Sequence, residues 1–473
     1  MMESENLAYM SATALARAIV RKKISPVEVV ESILERIHRV NPAINAFCTL
    51  TEDEAMKQAR AAEEALMKKK TIGPLHGVPV SIKDMIFTRG VRTTFGSKMY
   101  EDLIPTEDDV LVERIKAAGA VILGKTNTCE FGYKSVTDNL IFGTTRNPWN
   151  LERTPAGSSG GAAAAVASGL GPIAVGSDGG GSIRCPASYC GIFGFKPSRG
   201  RIPAYPLFEG WETIDRRIAH FGPLTRTVAD AALAMDVMGG PDNRDPLSLP
   251  GKLAYRSGLK KGIKGLRAAV ALQFNGAVAE PEVQRSVESA SKIFVDLGCR
   301  VEEARPDLPF MHDAFQLLFA ADLAGSIGDK LEEWRDRLDQ GLVRLTEIGL
   351  SFSAADYSRA QNRVHVFWNS LQSFFERYDL LLTPTLPLPP FPLGIDWPRE
   401  IAGQKVHPLN YLAFTYPFNL TGQPAASVPC GWTGDGLPVG MQIVGRRFED
   451  LTVLRASAAF EEACPWADRR PAL

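Results

Sequence analysis

Short apolar runs alternate along most of this chain with stretches whose apolar residues recur at every third or fourth position. Continuous apolar runs bounded by glycine or proline are typical of buried strands, and the longer spacing is typical of amphipathic helices. The strand-like runs, in chain order, are GVPVSIKD, AVILGKT, GPIAVGSD, GIFGFKP, LRAAVAL, CRVEEA, YDLLLTPT, PAASVPCG and PVGMQIVG. This alternation predicts an α/β protein in which helices cover both faces of a sheet.

Helical periodicity dominates the N-terminal part of the chain and returns between the predicted strands. The helical stretches are SATALARAIVRKK, SPVEVVESILERIHRV, TEDEAMKQARAAEEALMKKK, GGAAAAVASG, TVADAALAMDVMG and PEVQRSVESASKIFVDLG, and a final helix closes the chain. We expect a single domain over residues 1–473, since neither an internal repeat nor a clear linker divides it. Its predicted parts are N-terminal helices (about 1–70), a core (about 71–240), a helical insertion (about 305–378) and a return to the core (about 379–473).

The composition narrows the classes of function. With 473 residues, 45% of them hydrophobic, the chain can bury a substantial core. Lys and Arg number 53 against 54 Asp and Glu, so no net field favours nucleic acid or an anionic membrane as a partner. The seven cysteines are scattered without CxxC spacing, and no HExxH motif occurs. We therefore expect neither a disulfide framework nor a metal site.

One uncharged stretch has about the length of a membrane span. Residues Gly157 to Gly176 consist mostly of Ala, Gly and Ser, with few large apolar side chains. This composition favours a buried helix followed by a strand over a bilayer-spanning segment. The first residues start acidic and lack the apolar region of a signal peptide, so a cytoplasmic location is expected.

The stretch VGSDGGGSIRCPAS, from Val175 to Ser188, places three consecutive glycines directly before Ser182. Glycine costs backbone entropy, so three in a row indicate a loop that must approach another group closely. A phosphate-binding loop is one interpretation. It is disfavoured because the stretch lacks both the GK[ST] ending and the GxGxxG spacing of nucleotide-binding loops.

A second interpretation is the nucleophile elbow of an α/β-hydrolase-type esterase. Residues 157–161 read GSSGG and match G-x-S-x-G with Ser159 at the centre, and Asp379 and His407 follow in the required order. The elbow needs a buried strand immediately before it, whereas the preceding residues NLERTPA carry charges and a proline. The elbow stays an alternative.

A third interpretation joins separated pieces of the chain. The segments that carry it, in order, are GVPVSIKD, GKTN, NPWN, PAGSSGGAAAAVASG, GSDGGGSIRCPAS, GFKPSRGRI, GPLTRTVAD, FNLTGQPAASVP and GLPVGMQIVG. Together they resemble the amidase signature family of serine hydrolases over nearly the whole chain. The resemblance implies one large α/β domain with a mixed twisted sheet and a hydrolase that cleaves an amide-type C–N bond. It further implies that Ser182 is the nucleophile, Ser158 a bridging serine in a cis peptide, and Lys83 the base.

Lysine acts as a base only when neutral, and its ordinary pKa of about 10.4 keeps it charged at neutral pH. Burial among apolar neighbours lowers the pKa of a lysine, so we expect Lys83 to be buried beside the two serines. The neighbouring Asp84 would oppose this effect, and we expect it to point away or to be paired.

The glycine-rich stretch would then stabilise the negative charge that develops on the substrate. In this hypothesis an oxyanion hole is formed by the backbone amides of Gly179, Gly180, Gly181 and Ser182. Asp178 and Arg184 flank the loop and are expected to pair beneath it as structural support. No cofactor or metal is implied.

Members of this family share chemistry but differ in substrate. The A subunits of amidotransferases tend to carry an acidic residue near the position of Leu412, and none is present here. A stand-alone hydrolase of a small amide, anilide or carbamate is favoured, as a monomer or homodimer without nucleic acid or membrane partners. Esterase or urethanase side activity is compatible with it. The alternative is the A subunit of a tRNA-dependent glutamine amidotransferase.

The substrate pocket is the least determined part of the sequence. Several residues in aromatic or proline-rich segments are candidates for its wall: Tyr133, Tyr205, Phe208, Trp211, Thr385 and Trp397. Together they favour an apolar or aryl group on the substrate.

Overall fold

Eleven strands form one mixed sheet in the computed structural model, which describes residues 7–206 and 218–473. In spatial order the strands are β1 (Phe47–Leu50), β3 (Val121–Thr126), β2 (Pro79–Lys83), β6 (Ile173–Asp178), β8 (His220–Thr225), β7 (Phe193–Lys196), β16 (Ala425–Trp432), β17 (Pro438–Gly445), β13 (Leu380–Pro384), β9 (Arg267–Val270) and β12 (Arg300–Glu303). Three two-stranded sheets are added by β4 (Asp138–Asn139) with β5 (Gly143–Thr144), β10 (Gln273–Phe274) with β11 (Ala277–Val278), and β14 (Glu400–Ile401) with β15 (Gln404–Lys405).

The strand directions explain the mixed character of the large sheet. Strands β3, β2 and β6 are mutually parallel, as are β13, β9 and β12, whereas the neighbours between and beside these groups pair antiparallel. The predicted fold class, an α/β protein with a mixed sheet and helices packed against it, is confirmed. Strands β1 and β8 were not among the predicted runs.

The helices fall largely where the periodicity predicts them. In chain order they are α1 (Ala12–Val20), α2 (Pro26–Ile44), α3 (Glu52–Met67), α4 (Val110–Ala117), α5 (Gly160–Ala167), α6 (Arg184–Cys190), α7 (Val228–Met238), α8 (Tyr255–Gly258), α9 (Pro281–Asp296), α10 (His312–Ile327), α11 (Leu331–Trp334), α12 (Gln340–Leu350), α13 (Ala354–Arg377), α14 (Pro417–Thr421) and α15 (Asp450–Ala463). In the described residues, none of them is long and apolar enough to cross a membrane.

The alanine-rich helix α5 is buried along its whole length. Its small side chains let it approach its neighbours closely: a Cβ at Gly161 would lie 2.5 Å from the backbone nitrogen of Asn127. The uncharged stretch is therefore a core helix followed by β6, as the composition predicted.

The helical segment α10–α13 is inserted between β12 and β13. It packs on the core through aromatic contacts, among them the stacked rings of Phe315 and Tyr416 with centroids 4.4 Å apart. We call residues 312–377 the helical cap, because its helices α10 and α12 form one wall of the cavity described below.

Candidate active site

Two parallel neighbouring strands bring the candidate residues to one edge of the sheet. Strands β2 and β6 pair in parallel, with Ile82 opposite Val175. Because both strands run in the same direction, Lys83 at the end of β2 and Ser177 near the end of β6 leave the sheet at the same edge. The glycine-rich turn follows β6 directly.

Lys83 is fully buried and is held by two serine hydroxyls. Its Nζ donates to Ser158 Oγ at 2.6 Å and to Ser177 Oγ at 2.9 Å. The Gly157–Ser158 peptide bond is cis, as the resemblance implies. Ser177 was missed by sequence reasoning, although its place at the end of a strand parallel to β2 is a signal that could have identified it.

Asp84 is paired through hydrogen bonds with Thr94, one of the two expected arrangements. Its carboxylate accepts hydrogen bonds from the Thr94 amide at 3.1 Å and from Thr94 Oγ1 at 2.5 Å. Burial raises the pKa of the Asp84 carboxyl, and the nearby Lys125 ammonium and the Thr94 hydrogen bonds oppose this shift.

An ion pair lies beneath the glycine-rich turn. Arg184 donates from Nη2 to Asp178 Oδ1 at 2.8 Å and from Nε to Asp178 Oδ2 at 3.0 Å, and both side chains are fully buried. Burial alone would raise the pKa of Asp178, but the Arg184 guanidinium holds it well below its usual range. Asp178 is therefore ionised at neutral pH and accepts from the turn's own backbone.

Three further residues anchor the turn from the C-terminal part of the chain. Thr415 Oγ1 donates to the Gly180 carbonyl at 2.7 Å. Arg184 reaches Asn419 Oδ1 and Gln442 Oε1, each at 2.6 Å. These contacts hold the turn in one conformation before any substrate binds.

The backbone amides of the turn do not all have the same role. The Gly181 amide donates to Asp178 Oδ1 at 2.8 Å, so the expectation that it faces a substrate oxyanion is wrong. Among the described residues, the amides of Gly179, Gly180 and Ser182 have no acceptor. These three amides are the candidates for an oxyanion hole.

Ser182 lies at the floor of a cavity, with its residue surface 8% exposed. The Ser159 amide donates to the Ser182 carbonyl at 3.2 Å, which ties the turn to the start of α5. Lys83 and Ser158 are more deeply buried. This arrangement exposes one serine to a ligand and keeps the lysine away from solvent.

The elbow alternative is not supported by the geometry. Ser159 Oγ donates to the Ser177 carbonyl at 3.1 Å and does not cap α5. Asp379 pairs with Arg446 at 2.9 Å, and His407 is exposed and accepts from the Leu409 amide. The three residues of that hypothesis therefore do not come together.

The cavity above Ser182 has a volume of about 270 Å³ and a predominantly apolar wall. Its large apolar side chains come from the helical cap, from one loop and from a short 3-10 helix over Pro408–Leu412: Phe315, Phe319, Leu345, Ile348, Trp397, Leu409 and Leu412. Such a wall fits an aryl or alkyl group better than a charged one.

The predicted pocket residues have mixed outcomes. Tyr133 and Trp397 line the cavity. Tyr205 lies elsewhere, with its ring against the Arg244 guanidinium at 4.9 Å. Thr385 is fully buried and its hydroxyl is hydrogen-bonded to Ser427 Oγ at 2.9 Å. Neither residue belongs to the cavity wall that the described residues form, since each side chain contacts another part of the protein. The other two candidates, Phe208 and Trp211, lie outside the described residues.

A charged junction connects the cap to the core at the cavity rim. Lys134 Nζ lies 3.0 Å from carboxylate oxygens of both Asp339 and Asp396, and 3.2 Å from Asp138. Although burial alone would lower it, these carboxylates raise the pKa of Lys134. Sequence reasoning missed this junction, because two of the partners are more than two hundred residues away along the chain.

Glu130 adds a second connection to the cap. Its Oε2 accepts from the Asp339 amide at 2.6 Å, and burial raises the pKa of its carboxyl to about 7. Within the ranges that the structure describes, no group of three or more His, Cys, Asp or Glu side chains could hold a metal ion.

Comparisons with known proteins identify the family of the chain. The Amidase family model matches residues 28–454. An acylamidase of Rhodococcus erythropolis is 40% identical, with 100% of this chain and 99% of the relative covered. The A subunit of the glutamyl-tRNA(Gln) amidotransferase of Moorella thermoacetica is 39% identical, with 99% of each chain covered.

Solved structures give the same result. A bacterial aryl acylamidase of the amidase signature enzymes superposes with a TM-score of 0.91 at 36% identity, covering 97% of each chain. A 6-aminohexanoate cyclic dimer hydrolase superposes with a TM-score of 0.89 at 30% identity, covering 98% of this chain and 99% of the other.

Proposed function

This chain belongs to the amidase signature family of hydrolases, and from that premise we propose that it is a stand-alone enzyme for small acyl amides, anilides or carbamates. Ser182 is the nucleophile, Ser158 the proton relay and Lys83 the base. The observation that carries the proposal is the buried Lys83 Nζ, 2.6 Å from Ser158 Oγ, beside a turn that presents Ser182 to an apolar cavity.

The first half of the reaction forms an acyl-enzyme. The substrate carbonyl oxygen lies at the amides of Gly179, Gly180 and Ser182. Ser182 Oγ attacks the carbonyl carbon and its proton passes to Ser158, which gives its own proton to neutral Lys83. The C–N bond then breaks as the same relay returns a proton to the leaving nitrogen, and the amine departs.

The second half uses water in place of the amine. Water attacks the ester carbonyl of the acyl-enzyme and loses a proton through Ser158 to Lys83. The bond to Ser182 Oγ breaks, Ser182 recovers its proton through the same relay, and the acid is released. Lys83 therefore starts and ends each half of the cycle neutral.

Two features of the site support this chemistry. Both hydroxyls that hold Lys83 Nζ are neutral, so neither stabilises an ammonium as a carboxylate would. The turn is fixed by the buried pair of Asp178 and Arg184, so its amides need no reorganisation when charge develops on the substrate oxygen. A preorganised donor of this kind is worth about 3–4 kcal/mol in known hydrolases.

The cavity supports small substrates with an apolar group. Its volume of about 270 Å³ and its aromatic wall suit an aryl or alkyl portion beside the reacting carbonyl. A carbamate has the same planar carbonyl as an amide and passes through the same tetrahedral intermediate. Anilides and aryl carbamates are therefore the substrates to test first.

Covalent labelling tests the assignment of the nucleophile. A fluorophosphonate should add once to the purified chain, and peptide mapping should place the adduct on Ser182. The adduct should be absent from Ser182→Ala and retained by Ser159→Ala. Labelling of Ser159 in the unmodified chain would refute the proposed roles.

The A subunit of an amidotransferase is the second candidate, favoured by relatives of that name at 35–39% identity over nearly their whole length. The apolar Leu412 in the cavity wall disfavours it, since the acidic residue expected near this position is missing. The purified chain alone should hydrolyse anilides, without added tRNA. Glutamine as sole substrate, hydrolysed only when a second protein chain is present, would favour this candidate instead.

A further inference from the structure

We infer that Gly179 determines substrate specificity: its missing side chain leaves space for a bulky acyl group, either an aryl ring or a branched carbon attached directly to the reacting carbonyl. This inference rests on the proposed function and names the part of the substrate that the site selects. The space lies beside the amide of Gly179, one of the three candidate oxyanion donors.

The three consecutive glycines differ in what the fold requires of them. Gly181 has a φ of +136°, and a Cβ there would lie 2.5 Å from Cys185 Sγ, so the turn itself requires glycine. A Cβ on Gly180 would lie 3.2 Å from Cζ of Phe315. At Gly179, φ lies outside the left-handed region, and among the described residues no atom comes within 4 Å of a Cβ.

Within the part of the chain that the structure describes, neither backbone conformation nor packing therefore requires a glycine at position 179. The residue lines the cavity together with Ser182, so a side chain there would occupy space that a substrate could use. We attribute the glycine to the ligand instead: the space beside it is open for a group attached to the carbonyl that Ser182 attacks.

The position of Ser158 identifies which part of the substrate lies there. The leaving amine must lie toward Ser158, because Ser158 returns the proton to it. A second cavity glycine, Gly132, marks that side, since its Cβ would lie 3.2 Å from Ser158 Oγ. The open position at Gly179 is more than 4 Å from that oxygen. The acyl group, and not the amine, is therefore placed beside Gly179.

Substrate series with the variants Gly179→Ala and Gly179→Val test the inference. One series keeps the 4-nitroaniline leaving group and enlarges the acyl group from acetyl to isobutyryl to benzoyl. With Gly179→Ala, kcat/KM for the benzoyl compound should fall about tenfold or more beyond any fall for the acetyl compound, so the benzoyl-to-acetyl ratio reports the change. Gly179→Val should enlarge the difference.

A second series keeps the acetyl group and enlarges the amine from aniline to 2-naphthylamine. Losses in this series should not exceed those for acetyl-4-nitroanilide. Gly434→Ala is the matched control, because Gly434 also has no positive φ and no described atom within 4 Å of a Cβ, but lies in the turn between β16 and β17. This control should behave as wild type with every substrate, and the Tm of both Ala variants should be unchanged.

Four outcomes would overturn the inference: equal losses for acetyl and benzoyl substrates, losses that follow amine size, no change with any substrate, or a Gly179→Ala chain that does not fold. Fluorophosphonate labelling separates these failures from a failure of the proposed function. If wild type labels at Ser182 and hydrolyses the anilides, only the inference is overturned. If it does neither, the proposed function is overturned as well.

Discussion

Replacing Ser177 by alanine removes a contact that positions Lys83 and leaves Lys83, Ser158 and Ser182 themselves unchanged. Ser177 Oγ accepts from Lys83 Nζ at 2.9 Å, while Ser158 Oγ holds the same nitrogen at 2.6 Å from the relay side. The cavity wall includes Gly179, Gly180 and Ser182 but, in the part of the chain that the structure describes, not Ser177. The substitution therefore removes a positioning contact without touching bound substrate.

The expected size of the effect follows from the single hydrogen bond removed. Hydrogen bonds contribute about 0.5–1.5 kcal/mol when both partners are neutral and about 1.5–3 kcal/mol when one is charged. In the proposed mechanism Lys83 changes between these states during each half-reaction. A loss of roughly 1.5 kcal/mol in the transition state is therefore expected, which corresponds to about a tenfold lower kcat. KM should change by less than about twofold, because substrate binding is not altered.

Steady-state kinetics with an anilide substrate provide the measurement. Ser177→Thr, which keeps the hydroxyl, is the matched control and should recover most of the wild-type kcat. A Ser177→Ala enzyme with wild-type kcat would show that Lys83 is positioned without this contact. A change in KM alone, or a Ser177→Thr enzyme as slow as Ser177→Ala, would also refute the reasoning.

Two further predictions concern stability, and each is checked by chemical denaturation. Arg184→Ala leaves the Asp178 carboxylate buried without its partner, so the free energy of unfolding should fall by about 3–5 kcal/mol. The control Arg244→Ala removes an exposed ion pair and should cost at most about 1 kcal/mol. Equal effects of the two substitutions would contradict the structural role of the buried pair. The Glu130 carboxyl has a folded pKa of about 7, above its ordinary value of 4.5, so the folded state binds the extra proton and its stability falls as pH rises between these values. Glu130→Gln should therefore gain stability relative to wild type from pH 5 to pH 7.5, and a difference that does not change with pH would contradict this explanation.

Periodicity predicted the elements that are long or continuously apolar. The missed strands have physical reasons. Strand β1 (FCTL) is short and only its first residue is buried, and β8 contains Gly222 and Pro223, two residues that weaken any strand signal. Strand β8 nevertheless forms because it pairs antiparallel with β6 on one side and with β7 on the other. Pairing of this kind is not visible in a local window of sequence.

In the candidate site, too, local motifs could be read from the sequence, whereas contacts between distant parts of the chain could not. Lys83, Ser158 and Ser182 could be singled out as candidates because each lies in a distinct local motif. The Gly181 amide could not be assigned correctly, since its use by Asp178 depends on the conformation of the folded turn. Thr385 was misassigned for the same kind of reason: Ser427, which bonds its hydroxyl, comes from a different strand.

The charge-conserving substitution Lys83→Arg tests the central claim most directly. Guanidinium stays protonated at every pH at which a protein remains folded, so it can replace a positive charge but not a neutral base. Lys83→Arg should lose amidase activity by orders of magnitude, to the same extent as Lys83→Ala, with circular dichroism and Tm measured for both. An arginine variant that retained even a tenth of the wild-type kcat with an anilide would show that Lys83 acts through its charge, and would contradict the mechanism proposed for Ser182, Ser158 and Lys83.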